Sequence, residues 1–284
     1  MMTETKLILV EGLPGSGKTT TAEFIASWLT QRGVTTAVFL EGNLDHPADF
    51  ESVACLSESE YADLKAQFPS QADFLESQVI RHGDDHLFRY RFLQQTYPQL
   101  SEALLATLAR YEIYELPVEK YRRLVRQRWQ DFAAIAAAGE VVTIFECCFL
   151  QNPLTMFFGR HDEPVTAAQA FIHELAAAVQ MLQPRWIYLH PGEARTTLTH
   201  AAQSRSQAWL DFVIAYHTQQ GHGKAQGWQG FDGLVRFYER RQAVELALLP
   251  QLPFPGLLVN HTDWATDQAH VSNFLAHTFD PRKI

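Results

Sequence analysis

The sequence is short of positive charge: 23 Lys and Arg stand against 32 Asp and Glu over 284 residues, a formal net charge of -9. A nucleic-acid polymer demands a basic footprint, so that class of partner is excluded, whereas a small anionic substrate needs only a local cationic pocket. Cysteine is scarce as well. Cys55, Cys147 and Cys148 make no disulfide framework and suit a reducing cytoplasm. No uninterrupted apolar run reaches the roughly eighteen residues of a membrane span, and the opening MMTETKLILVEG has neither the length nor the cleavage site of a signal peptide. A cytoplasmic chain without a membrane partner is therefore expected. Low-complexity tracts, heptads and fixed-period repeats are missing too. With 46% apolar and 19% charged residues, their absence argues against disorder, coiled coil and solenoid.

What is present concentrates in one stretch, Leu7 to Leu29, LILVEGLPGSGKTTTAEFIASWL. Gly12, Gly17, Lys18 and Thr19 fit the phosphate-loop pattern G-x-x-x-x-G-K-[ST]. Its glycines let backbone N–H groups turn inward around phosphate oxygens while the following helix points its positive end at them. Pro14, Gly15 and Ser16 complete the loop, and Thr20 follows it. Lys18 is expected to reach the outer phosphates of ATP, and the Thr19 hydroxyl to ligate Mg2+. The context agrees with that mechanism, because Lys6 to Val10 reads as a buried strand and Ala22, Ile25, Ala26 and Leu29 share one helical face.

The alternation continues along the chain. TAVFLE (Thr36 to Glu41), VVTIFEC (Val141 to Cys147), RWIYLH (Arg185 to His190) and GLLVNH (Gly256 to His261) read as four more short strands separated by helical segments. Five strands with helical crossovers imply an α/β fold, a parallel sheet covered on both faces. Between the second and third strands, residues 42–140 are mostly helical in pattern and far exceed an ordinary crossover. They are expected to form a helical insert that shapes the acceptor site within a single domain, 1–284.

These residues resemble the thymidylate kinases and deoxynucleoside kinases. VEGLPGSGKTT resembles their first motif, TIFECCF the end of their third strand, and EARTTLTHAAQSRSQAW their arginine-bearing lid after the fourth. LEGNLDHPADFESVACL and ECCFLQNPLT also resemble a group of bacterial phosphate-loop proteins of unassigned substrate. The resemblance implies a three-layer phosphate-loop NTPase fold with strand order 2-3-1-4-5, counted by appearance, and a lid with a glycine-rich loop over 192–233. It also implies phosphoryl transfer, with Glu146 facing the magnesium and Arg195 or Arg205, preferably Arg205, closing over the triphosphate. Glu11 would act as base toward the acceptor hydroxyl or make a structural hydrogen bond to the loop. One departure stands out: the arginine those families carry after the third-strand acid is replaced here by Cys147 and Cys148.

Other candidates lie after the second strand. Glu41, Asp45 and His46 sit where a carboxylate could orient or deprotonate a hydroxyl, and Arg81 belongs to a basic stretch that could face an anion. The five glycines of GHGKAQGWQGFDG read as a functional loop or a long connection. Together these residues point to an ATP- and Mg2+-dependent phosphotransferase acting on a small molecule, with a nucleoside or nucleotide as leading acceptor and a homodimer left open. The alternatives are a nucleotide-gated switch ATPase and a kinase for an antibiotic or sugar.

Overall fold

A computed structural model describes residues 5–279. They form eight strands: β1 (Leu7–Gly12), β2 (Thr36–Phe39), β3 (Ala54–Ser57), β4 (Ile80–His82), β5 (Asp85–Phe88), β6 (Val142–Glu146), β7 (Arg185–His190) and β8 (Gly256–Asn260). The chain divides into two compact units. One comprises the described residues up to Glu41 and from Arg126 onward, the other Gly42–Val125.

The first unit is built on β1. Its sequence LILVEG is buried at every position, as a strand covered on both faces requires. It lies at the centre of a five-stranded sheet of order β2-β6-β1-β7-β8, parallel throughout, so the expected five-stranded parallel sheet is present. Successive side chains leave opposite faces. Ile8, Val10, Ile144, Ile187 and Leu189 pack with Ala22, Ile25 and Leu29 of helix Lys18–Thr30 and with Val271 and Leu275 of helix Trp264–Thr278. On the other face Phe145 meets Trp129 and Phe132 of helix Val118–Ala138, and the Tyr188 hydroxyl donates to Glu245 of helix Gly230–Leu248 at 2.6 Å. All the parallel strands therefore end on one edge, which carries Glu11, Gly12 and Glu146.

The second unit corrects the expectation of a helical insert over 42–140. It ends at Val125 and contains an antiparallel sheet of order β3-β5-β4 beside its helices. Strands of three or four residues, ACLS, IRH and DHLF, are too short for period-two alternation to register in sequence. Helix Glu58–Gln67 starts with a capping box between Ser57 and Glu60. Ala54, Leu56, Tyr61, Leu64, Leu75, Phe88, Leu104 and Leu108 form this unit's own core.

One further expectation is corrected in the first unit. The glycine-rich part of segment 192–233 is not a flexible loop: the segment carries the helices Ala194–Ser204, Gln207–Thr218, Gly221–Ala225 and the start of Gly230–Leu248. Gly221, Gly223 and Gly233 serve close packing, whereas Gly227 and Gly230 face open space with positive φ. A Cβ on buried Gly223 would stand 1.9 Å from the His217 carbonyl oxygen, a distance no side chain tolerates. One helical stretch has the length and apolarity of a membrane span without being an uninterrupted apolar run. The helical stretch Val165–Leu182, mean hydropathy 1.2, is long and apolar enough to cross a membrane. It buries Ala168, Phe171, Ile172, Leu175, Ala176 and Val179 at helical spacing, the stripe of a core helix.

Candidate phosphate-loop site

The loop begins where β1 ends. Gly12 has φ +147°, and a Cβ there would lie 2.6 Å from the Leu189 carbonyl oxygen and 2.7 Å from Ser16 Oγ, so only glycine fits. The turn closes through the Ser16 N–H, which donates to the Leu13 carbonyl at 3.1 Å. Gly17, left-handed at φ 88°, caps helix Lys18–Thr30 without any side-chain acceptor. The N–H groups of Lys18, Thr19 and Thr20 thus fall in a first turn that no intrahelical carbonyl reaches, the arrangement that binds anions at helix N-termini.

Lys18 is buried, and its Nζ donates to the Leu13 carbonyl at 3.0 Å. Burial opposes its charge and so does Arg241, but Cys147 first, then the carboxylates of Glu41 and Glu146, outweigh them and hold its pKa above the ordinary lysine value. Those carboxylates form one wall. Thr19 Oγ1 donates to Glu146 Oε1 at 2.9 Å, and the Glu41 N–H donates to Glu146 Oε2 at 3.3 Å. Gln151 Nε2 donates to Glu41 Oε1 at 2.7 Å, and the Cys147 thiol to Glu41 Oε2 at 3.5 Å. The ligand atoms of Glu41, Glu146 and Cys147 lie within 4.8 Å of one another. A hydroxyl and two carboxylates are the hard oxygen donors that Mg2+ prefers. Cys147 sits among them in a left-handed conformation, φ 72°, uncommon for a residue with a Cβ. Burial pushes its thiol pKa well above the ordinary value, so it is a neutral donor to Glu41.

Behind the loop lies a buried polar cluster. Glu11 accepts from the N–H groups of Phe149, Leu150 and Gln151 at 2.8, 3.1 and 3.3 Å. These bonds go to the turn after β6 and not, as foreseen, to the phosphate loop. Burial and the nearby Glu245 raise the Glu11 pKa to about 7, against the pull of the backbone amides and Lys18. Arg241, 1% exposed, pairs through Nε with Glu245 at 3.0 Å. Its Nη2 donates to the carbonyl of Gly12 and to Gln151 Oε1, each at 3.4 Å.

The structure brings Glu11, Glu41, Glu146, Lys18 and Thr19 together with the loop residues Gly12 to Thr20. It does not bring Arg195 or Arg205 to them by any hydrogen bond or ion pair. Helix Ala194–Ser204 seats against the loop through Thr197 and Ala201, which face Gly15. Arg195, at the exposed side of that helix, pairs with Asp232 at 2.7 Å, and exposed Arg205 stacks over Trp209 at 4.5 Å. Asp45, His46 and Arg81 belong to the second unit. There Asp45 pairs with Arg89, the His46 ring accepts from the Ala48 N–H at 3.1 Å, and Arg81 pairs with Glu76 and bonds His86 at 3.0 Å.

Sequence reasoning missed Gln151, Arg241, Glu245 and Tyr188. A signal for two of them existed. Leu234, Tyr238, Arg241, Glu245 and Leu248 recur at spacings of three and four on one buried helix face, so Arg241 and Glu245 are charges in phase with an apolar stripe.

No family model matches this chain, and no curated protein does. Among solved structures it is similar to the thymidylate kinase from Candida albicans, with 12% identity and a TM-score of 0.40 over 100% of this chain and 94% of that one.

Proposed function

We propose that the chain is a phosphate-loop kinase of three-layer fold that moves the γ-phosphoryl group of ATP to a small-molecule acceptor, most simply a nucleoside or nucleotide. The observation that carries this is the convergence of Lys18, the Thr19 hydroxyl and Glu146 on a glycine loop at the carboxyl edge of a parallel sheet, the place where open α/β folds bind ligands. Phosphoryl transfer depends mainly on positioning and on neutralising charge around the moving group. The loop amides and Lys18 hold the phosphates. Thr19 and Glu146 would hold Mg2+, which supplies charge neutralisation at the phosphate oxygens. Glu41, tied to Glu146 through its own N–H and to Gln151 through its side chain, faces the acceptor; for Asp45, His46 and Arg81 an acceptor role rests on their sequence positions alone.

The direct test is a screen of metabolite pools with γ-labelled ATP for a new phosphorylated species. Turnover should fall roughly a hundred- to a thousandfold in Lys18→Ala, the usual effect of deleting one charge-stabilising donor. Slow hydrolysis with no phosphorylated small product would refute phosphotransfer and favour a nucleotide-gated switch.

A further inference from the structure

Lys18 and Arg241 rest on successive carbonyls of the loop: Lys18 Nζ on Leu13 at 3.0 Å and Arg241 Nη2 on Gly12 at 3.4 Å. They come from helices far apart in the chain, Lys18–Thr30 and Gly230–Leu248. A neutral carbonyl at 3.4 Å is a poor partner for a guanidinium, whose charge-assisted bonds run about 2.7–2.9 Å. The second Nη2 contact, to Gln151 Oε1, is equally long, and among the described residues Nη1 donates to none. Its one close partner is Glu245, itself fully buried and already accepting from the Tyr188 hydroxyl at 2.6 Å.

Burying a guanidinium costs several kcal/mol, and a core gains nothing from such a pair that apolar side chains of like volume would not supply. The position of this pair explains its presence. Tyr238 lies under the guanidinium at 4.8 Å and Glu245 stands 3.0 Å from its Nε as an ion pair without a hydrogen bond, while Nη2 is the nitrogen that reaches the loop, at the Gly12 carbonyl. Planar and forked, that group matches a phosphate better than an ammonium does. Lys18 is the residue whose place in the loop pattern assigns it to the outer phosphates, and Arg241 stands one carbonyl away from it.

We propose that Arg241 is a second cation of the phosphate site, which leaves the Gly12 and Gln151 oxygens to bond the outermost phosphate of the bound nucleotide together with Lys18. The role rests on the phosphotransferase reading above and extends it to a residue outside the loop motif.

The test is calorimetric titration of MgATP and MgADP into the full chain and its variants. Because Arg241→Met leaves Glu245 buried and unpaired, Arg241→Met/Glu245→Met is measured beside it, removing both charges at once. In each, MgATP affinity should drop about 10- to 100-fold, the effect of losing charge-assisted hydrogen bonds, while MgADP affinity changes by less than about threefold. Arg241→Lys should recover part of the ATP preference. A purely structural Arg241 would weaken the two nucleotides equally. Equal losses, or none, in a wild-type protein that binds MgATP and loses it on Lys18→Ala would overturn the proposal. A wild-type chain that binds neither nucleotide overturns the kinase reading and this role with it.

Discussion

Glu11 shows how one residue ties local chemistry to stability. Its carboxyl, raised by burial and Glu245 to about 7 from an ordinary 4.5, holds a proton in the folded chain that the unfolded chain has released between those values. The folded state therefore binds more protons in that window, and stability falls as pH rises from about 4.5 to about 7, by roughly 3 kcal/mol in all. Denaturant unfolding across pH should show this decline in the wild type and a flatter profile in Glu11→Gln; identical profiles would mean that Glu11 titrates normally. Glu146 makes a second case at this scale. It accepts from the Thr19 hydroxyl and the Glu41 N–H together, so Glu146→Gln should raise the Mg2+ concentration needed for half-maximal activity. An unchanged magnesium titration would remove the carboxylate from the metal's surroundings.

At the scale of elements, Gly221, Gly223 and Gly233 are a packing device. Gly223→Ala places a methyl 1.9 Å from a backbone oxygen that cannot rotate away; a loss of about 1–3 kcal/mol is expected in chemical unfolding, whereas a mobile loop would accept alanine without change. This is where the sequence was least legible. Glycine is equally the residue of a flexible loop and of close helix contact, and only three-dimensional neighbours separate the two. The five parallel strands were legible because segments such as LILVEG and VTIFE are short, mostly apolar stretches of buried-strand length, rich in β-branched residues. The phosphate loop was legible because its chemistry fixes both residue types and spacing. β3, β4 and β5 were not, being three or four residues long, and neither was Arg241, which reaches Gly12 across 229 residues of sequence. Motifs record local spacing, and a contact of that range leaves only a phase in a helical stripe.

At the scale of the molecule, the two units have separate cores. The second unit's core includes Leu104, and the first unit's sheet includes Ile144, each fully buried. Leu104→Ala should cost about 2–5 kcal/mol of stability yet leave MgATP affinity of the folded protein within about threefold, since the phosphate loop belongs to the first unit. The net charge of -9 adds a global field that repels polyanions and leaves Lys18 and Arg241 as buried, local attractors for a small one. Whether the loop between β1 and helix Lys18–Thr30 grips a triphosphate is answered most directly by titrating MgATP into the wild-type chain and into Lys18→Ala. One saturable site, weakened at least about tenfold by the substitution, is the expected result; no binding heat from the wild type with either ATP or GTP in excess Mg2+ would contradict it.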